Sequence, residues 1–163
     1  MNADSVANSV TQTSRHPYQI LVCRVGGVLT CISLSHIERT LSLVAIQPMP
    51  SCMDYVVGIM NFAGNSLPVI DLAMRLGLEP SPYTLDSPIM VCVQGGHRIG
   101  VIVQDIVGIR TLHDQERQLT DEFGRYGSAF SATAHTDLGL VLMLDVAWLT
   151  QSELYPKRMT GES

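Results

Sequence analysis

The sequence predicts a mainly β protein built from two small closed sheets. Three observations lead to this fold class: apolar runs about as long as strands, Gly-Gly pairs between those runs, and a second half of the chain that repeats the first. The composition agrees with a well-packed domain, since 46 % of the residues are hydrophobic and only 15 % are charged, against roughly 25 % charged in an ordinary domain. A length of 163 residues favours one domain, or two small halves that share a core.

Two β-hairpins are predicted where apolar runs flank a pair of glycines. Gly26 and Gly27 separate two such runs early in the chain, and Gly95 and Gly96 separate two more in its second half. Glycine adopts positive φ at low cost, which both central positions of a tight hairpin turn require. Each Gly-Gly pair is therefore expected to join two neighbouring antiparallel strands.

The second half of the chain repeats the first at a constant spacing. Seven residues between positions 20 and 43 recur unchanged 69 positions later, beginning with Ile20 and Ile89. Further along each half an apolar run ends in Asp71 or Asp145, each of which is predicted to cap a short helix. We expect two halves, at about residues 18–86 and 87–150, each folding as a small closed sheet of about five strands.

The two ends of the chain differ from this repeat in composition. Residues 1–16 and residues 151–163 are polar and lack apolar periodicity. We expect a flexible N-terminal arm and a flexible C-terminal tail on either side of one domain spanning residues 17–150.

Charge, hydropathy and cysteine use exclude several classes of protein. A net charge of −5, with a single lysine, opposes binding to the phosphate backbone of a nucleic acid. The longest apolar stretch, residues 140–144, is far shorter than the roughly 20 residues that a membrane-spanning helix needs. The four cysteines form no C-x-x-C pair, and the chain does not open with a secretion signal, so reduced thiols in the cytosol are expected.

No arrangement of residues predicts catalysis, a cofactor or a metal. The five histidines lack the spacing that would place two of them on one helix face, and the nucleophile motif G-x-S-x-G is absent. Asp71 and Asp145 could form a carboxylate pair, but their matched positions at strand ends favour helix capping. Trp148 follows the second of these caps and is expected to close the end of one barrel.

The segment that begins at Gly58 is the most informative part of the sequence. It reads GIMNFAGNSLPVIDL and resembles the signature of the CheW-like chemotaxis coupling proteins, G-[IV]-x-N-[LF]-R-G-x-x-[VIL]-P-[VI]-[VI]-D-L. Residues 99–109 and 140–149 resemble later strands of that family, so that the resemblance covers about residues 18–149. It implies two small five-stranded SH3-like barrels with short helices, related by the internal repeat and packed around an apolar seam.

The resemblance implies an adaptor rather than an enzyme. Members of the family couple a chemotaxis histidine kinase, through that kinase's own CheW-like regulatory domain, to the cytoplasmic tips of methyl-accepting receptors. For this chain the resemblance implies a cytoplasmic protein that is recruited to membrane-associated receptor arrays and does not insert into the membrane. It is expected to be monomeric in dilute solution and to have no nucleic-acid partner.

The resemblance also implies two contact surfaces. The receptor-facing residues are Ile37, Thr40, Gly58, Asn61 and Ala63. The kinase-facing residues are Val44 and Ile46, which could equally belong to the core. Ala63 stands where the family has an arginine that pairs with an acidic residue of the first half's short helix, and Arg39 lies near the place expected for that acid.

Two alternatives stay open at this stage. Because Ala63 departs from the family pattern, the chain could be a divergent adaptor of a pilus- or surface-sensing pathway with an altered receptor contact. A β-barrel that binds a small molecule and passes the signal to another protein would account for the same strands if it enclosed a cavity.

Overall fold

The structure is a computed structural model that describes residues 17–42, 44–79, 82–113, 117–119 and 129–157. The expected N-terminal arm, residues 1–16, lies outside the described residues. Within them the chain forms eleven strands, two short helices and one 3₁₀ turn at Leu34–His36. The elements are β1 Tyr18–Val25, β2 Val28–Ser33, β3 Ile37–Ser42, β4 Val56–Phe62, β5 Asn65–Asp71, α1 Leu72–Arg75, β6 Pro88–Gln94, β7 His97–Ile102, β8 Asp105–Leu112, β9 Arg117–Leu119, β10 Phe130–Thr136, β11 Gly139–Leu144 and α2 Val146–Thr150.

Both predicted Gly-Gly hairpins are confirmed. Val25 pairs with Val28 across the first turn, and Gln94 pairs with His97 across the second. The four glycines between these pairs have φ values of 54°, 80°, 56° and 81°. Positive φ at both central positions is the backbone of the tight turn that matches the twist of antiparallel strands.

The predicted fold class is confirmed, since the protein is mainly β with two sheets and a few short helices. One sheet has the strand order β8-β1-β2-β11-β10-β9, in which β9 contributes only three residues. The other has the order β3-β6-β7-β5-β4. The repeat extends to irregularities of the ladders, because Glu38 in β3 and its equivalent Val107 in β8 are both bulged out of their pairings.

The expectation that each half of the repeat closes its own sheet is wrong. The hairpin β1–β2 of the first half pairs with β8 and β11 of the second, while β6–β7 of the second half pairs with β3 and β5 of the first. The five-stranded sheet is therefore one continuous segment, residues 37–102, and the six-stranded sheet joins the two ends of the described chain. Apolar periodicity identifies a strand but does not say which neighbour satisfies its free backbone groups.

The buried residues form three clusters, one associated with each sheet and one between the sheets. Strand β1 shows the arrangement: Ile20 and Val22 belong to the cluster of the six-stranded sheet, whereas Leu21 and Cys23 belong to the cluster between the sheets. Successive side chains of a strand point to opposite faces, so both faces of β1 are buried. This explains why the apolar residues of β1 run consecutively from Ile20 to Cys23 rather than alternating with polar ones.

Both predicted helix caps are confirmed. Asp71 Oδ1 accepts a hydrogen bond from the Met74 amide at 3.1 Å, and Asp145 Oδ1 accepts one from the Ala147 amide at 2.9 Å. Each carboxylate thereby satisfies an amide that has no partner within its helix.

Trp148, which the sequence predicts to close the end of a barrel, lies in α2. Its side chain is half-buried and packs against the cluster between the two sheets. The Arg75 guanidinium lies 3.9 Å from the centre of the Trp148 ring and 4.9 Å from that of Tyr55. The indole therefore stacks on a cation that joins α1 to α2, at a separation typical of cation–π contacts.

The described part of the C-terminal tail also differs from the expectation. The Met53 amide donates to the Leu154 carbonyl at 2.8 Å, and the Tyr55 hydroxyl donates to the Glu153 carbonyl. Leu154 packs against the cluster between the sheets. Residues 151–157 are thus held on the domain by these hydrogen bonds together with the packing of Leu154.

Candidate protein-interaction surfaces

The receptor-facing residues predicted by the resemblance lie on two strands at opposite ends of the five-stranded sheet. Ile37 and Thr40 are on β3, and Gly58 and Asn61 are on β4. Thr40 and Asn61 are exposed, Ile37 is half-buried against the cluster between the sheets, and Gly58 is buried. Three strands therefore lie between the residues on β3 and those on β4 in the hydrogen-bonded order of the sheet.

Curling of the sheet brings β3 and β4 back towards each other. Leu41 of β3 packs against the same apolar cluster as Phe62 of β4. The Arg39 guanidinium lies 5.9 Å from the centre of the Phe62 ring, within the range of a weak cation–π contact. The structure thus brings the two ends of the sheet together through side chains, beside the exposed positions Thr40 and Asn61.

Ala63 occupies the tip of the β4–β5 hairpin in a backbone conformation that is unusual for alanine. Its φ is 51° and that of Gly64 is 82°, so the two form the central pair of a turn closed by Phe62 and Asn65. The Asn61 side-chain oxygen accepts the Gly64 amide at 3.0 Å. Asn61 therefore holds the turn that presents Ala63 to solvent, in addition to being exposed itself.

Gly58 has a structural reason to be glycine. A Cβ at this position would lie 2.2 Å from the Gln47 carbonyl oxygen, and the φ of Gly58 is 152°. The next residue, Ile59, also contacts Gln47, because the two backbones exchange two hydrogen bonds of 2.8 and 2.9 Å. Gly58 thus lets residues 44–47 dock closely on β4, and its own atoms are not at the surface.

The two kinase-facing residues differ in exposure. Val44 is 42 % exposed, whereas Ile46 is half-buried against the apolar cluster of the five-stranded sheet. Ile46 also lines a groove of about 430 Å³ together with Gln47 and Asn61. The structure therefore places Ile46, assigned to the kinase, beside Asn61, assigned to the receptor.

An ion pair that the sequence did not indicate lies on the same sheet. Arg98 on β7 binds Glu38 through two hydrogen bonds, of 2.6 and 3.1 Å. Glu38, the residue before Arg39, lies in β3 rather than in the short helix, and its partner is Arg98. Sequence reasoning missed this pair because the two residues are 60 positions apart and meet only across the sheet.

The described residues hold no metal-binding cluster, and two of their buried thiols are unreactive at neutral pH. They contain no group of three His, Cys, Asp or Glu side chains that could hold a metal ion. Burial raises the pKa of the Cys23 thiol to about 11 and that of Cys92 to about 12, so both are protonated at neutral pH and are poor nucleophiles. Among the described helices none is long and apolar enough to cross a membrane.

A comparison with protein families assigns the chain. Residues 19–154 match the CheW-like domain, which is well over half of the sequence. The chain belongs to the CheW-like family. This CheW-like chain is 25 % identical over 117 residues to the chemotaxis protein CheW of Rhizobium meliloti, covering 72 % of this chain and 76 % of that one. It is 23 % identical over 129 residues to the chemotaxis protein CheW of Thermotoga maritima, covering 79 % and 85 %.

The CheW-like fold is shared with a solved structure. The scaffolding protein TtCheW from Thermoanaerobacter tengcongensis superposes with a TM-score of 0.74, covering 80 % of this chain and 90 % of that one at 23 % identity. At this level of identity the likeness establishes the fold.

Proposed function

We propose that this chain is a non-catalytic adaptor that couples a chemotaxis-type histidine kinase to methyl-accepting receptors. The observation that carries the proposal is the match of residues 19–154 to the CheW-like domain. The shared fold with a scaffolding protein and the chemotaxis relatives support the same role. Neither a pilus-sensing pathway nor a small-molecule ligand is favoured by a particular observation on the described residues.

The receptor contact is proposed to centre on exposed side chains of β3 and of the β4–β5 hairpin. Thr40, Asn61 and Ala63 present their side chains to solvent, and Ile37 is accessible in part. Gly58 acts by positioning, because it is buried and allows residues 44–47 to pack on β4. Ala63 contributes no charge to this surface, whereas the Glu38–Arg98 pair contributes one of each sign.

The kinase contact is proposed to use Val44 directly and Ile46 in part. Val44 is 42 % exposed and stands two residues before the half-buried Ile46, so this segment offers apolar side chains to a partner. The proposed partner surface is the kinase's own CheW-like regulatory domain. Such an adaptor acts in the cytoplasm, is recruited to receptor arrays through both contacts, and is monomeric when dilute.

The experiment that tests the proposal measures binding of the purified full chain to the histidine kinase and to a receptor cytoplasmic fragment from the same organism. Val44→Asp should weaken kinase binding by more than about tenfold, because a carboxylate loses hydration in an apolar contact. Receptor binding should stay unchanged. Leu85→Asp is the matched control, since Leu85 is apolar, 83 % exposed and distant in sequence from both surfaces.

Two outcomes would overturn parts of this proposal. If the unmodified chain binds neither protein, the adaptor function is wrong. If Val44→Asp binds the kinase as well as Leu85→Asp does, with both variants melting like the parent chain, the kinase surface lies elsewhere.

A further inference from the structure

The side chain of Arg75 is held in one position where α1 meets α2. Its guanidinium lies 3.9 Å from the centre of the Trp148 ring and 4.9 Å from that of Tyr55. Its Nε donates to Ser152 Oγ at 3.1 Å, and Ser152 Oγ donates in turn to the Leu149 carbonyl at 2.7 Å. Two aromatic rings and one hydrogen bond thus fix the guanidinium.

The groups that hold Arg75 are themselves fixed. The Tyr55 hydroxyl donates to the Glu153 carbonyl, and the Trp148 amide donates to Asp145 Oδ1 at 3.4 Å as part of the helix cap. A side chain that is already ordered loses less conformational entropy when it binds a partner. The guanidinium is therefore preorganised for binding.

The charge of Arg75 is not paired within the described residues. The Nε donor has the partner named above, whereas no described residue accepts a hydrogen bond from the two terminal nitrogens. Arg75 is half-buried, but these nitrogens reach solvent, and their edge of the planar group matches the two oxygens of a carboxylate. Glu153, in the C-terminal segment that holds Arg75, pairs instead with Lys157 at 3.4 Å.

The repeated fold does not require a cation at this place. The spacing of 74 residues between the two helix caps gives three equivalent pairs: Arg75 and Leu149, Trp148 and Met74, and Tyr55 and Ala129. The equivalence holds for the backbone, since the Asp71 amide donates to the Tyr55 carbonyl and the Asp145 amide to that of Ala129, both at 2.8 Å. Leu149 is apolar and fully buried, so the same backbone forms in the second half without a charge.

Apolar side chains on the segments that hold Arg75 favour a protein as the partner. Met74 of α1 is 38 % exposed, and Tyr155 of the C-terminal segment is 51 % exposed with its hydroxyl 3.5 Å from the Met49 sulfur. Arginine, tryptophan, tyrosine and methionine are the residue types enriched at protein interfaces. A polyanion such as a nucleic acid is opposed by the net charge of −5. We define the Arg75 surface by six residues: Met49, Tyr55, Met74, Arg75, Trp148 and Tyr155.

We propose that the Arg75 surface docks a partner protein through one Asp or Glu side chain that is flanked by apolar residues. The carboxylate binds the two terminal nitrogens of Arg75, and the apolar flanks pack on the exposed methionine and tyrosine side chains. Charge complementarity selects this occupant, because a fixed guanidinium with an open edge is matched by a planar carboxylate. The surface shares no residue with the proposed kinase and receptor contacts, so the inference does not depend on the proposed function.

Trp148 provides a reporter for the test, because it is the single tryptophan of the chain. The probe is an acetylated and amidated peptide of sequence GSLELSG, and its twin GSLQLSG carries glutamine instead of glutamate. Titrated into the full chain, the glutamate peptide should shift the Trp148 indole N–H resonance until the shift saturates. The glutamine twin should bind at least about tenfold more weakly, because it lacks the charge.

Variants of arginine assign the effect to one residue. Arg75→Met should remove the difference between the two peptides, and Arg75→Lys should keep only part of it, because it keeps the charge but not the planar pair of donors. Arg24→Met is the matched control, since Arg24 is also half-buried but already donates two hydrogen bonds to Asp105. It should prefer the glutamate peptide as the parent chain does, and thermal melting of each variant verifies its fold.

Several results would overturn the proposal. The two peptides could bind the parent chain equally, neither could bind, or Arg75→Met could keep the preference for glutamate while melting like the parent chain. If acetate or inorganic phosphate shifts the indole resonance as much as the glutamate peptide does, the surface binds small anions and does not dock a protein. A shift of that resonance on dilution, without peptide, would assign the surface to a second copy of this chain.

Discussion

The bulged residue of β3 and its counterpart in β8 stand at the same point of the repeat in different surroundings. Glu38 pairs with Arg98, and both side chains are partly exposed. Their equivalents, Val107 and Leu29, instead both pack against the apolar cluster of the six-stranded sheet. The same backbone geometry thus carries an ion pair on one sheet and an apolar contact on the other.

A second pair of equivalent positions shows the same division. Gly58 in β4 leaves room for the Gln47 carbonyl, whereas its equivalent, Ala132 in β10, is buried in the cluster of the six-stranded sheet. The repeat thus determines the strands, bulges and caps of both sheets. The side chains on these elements make the difference: the six-stranded sheet is packed at these positions, whereas the five-stranded sheet presents residues 44–47 and an ion pair.

The largest loss of stability is expected at alkaline pH, from the two buried thiols at equivalent positions of the repeat, Cys23 and Cys92. Burial raises the pKa of Cys23 to about 11 and that of its equivalent Cys92 to about 12. A hydrogen bond between the Cys23 sulfur and the Thr30 hydroxyl limits the shift of Cys23, whereas Cys92 faces Ile99 at the matching position. The free energy of unfolding should hardly change with pH well below pH 9. Above pH 9 the thiols ionise in the unfolded chain but stay protonated in the folded one, so the free energy of unfolding should fall by about 1.4 kcal/mol per pH unit for each thiol until the pH reaches its folded pKa.

Urea unfolding at pH 8, 9 and 10 measures this loss. Cys92→Ala should be less stable than the parent chain at pH 8. Its free energy of unfolding should fall less steeply with pH, because only one buried thiol then contributes. A stability that does not change between pH 9 and 10 would contradict the prediction.

The next effect concerns Gly58 and Ala132. Gly58→Ala should cost on the order of 3 kcal/mol, because the methyl group would meet the Gln47 carbonyl at a positive φ. Ala132→Gly should cost only about 1 kcal/mol, through lost burial and added backbone entropy. Chemical denaturation of both variants checks the ranking, and equal losses would mean that residues 44–47 can move away from β4.

The two helix caps should differ by a smaller amount. Asp71→Ala removes a cap and the partner of Tyr83, and should cost about 2 kcal/mol, whereas Asp145→Ala removes the cap alone within the described residues and should cost about 1 kcal/mol. A double-mutant cycle of Asp71→Ala with Tyr83→Phe measures the difference directly. A coupling energy near zero would show that the Tyr83 bond adds no stability.

The smallest effect is expected at the ion pair. Arg98→Ala should cost at most about 1 kcal/mol, since exposed pairs gain little from their charges, and the loss should shrink in 1 M salt. Val107→Ala should cost as much or more and should not depend on salt, because its contact is apolar. A salt-independent loss for Arg98→Ala would instead assign its effect to packing.

The candidate site was predictable where it depended on local chemistry. The motif around Gly58 and Asn61 identified a hairpin with a required glycine, and both residues have definite structural tasks. The partner of Gly58, Gln47, and the partner of Glu38, Arg98, were not predictable, because each meets its residue through tertiary contacts that no sequence spacing records.

By itself the sequence determined the strands, the Gly-Gly turns, the aspartate caps and the repeat, since these depend on φ preferences, burial patterns and bonds between near neighbours. Only the tertiary structure decided that each sheet takes its hairpin from one half and its remaining partners from the other. The physical reason is that β1 and β6 are buried on both faces, so their apolar side chains do not select a particular neighbouring strand. Any strand with unpaired N–H and C=O groups along its edge can hydrogen-bond to them.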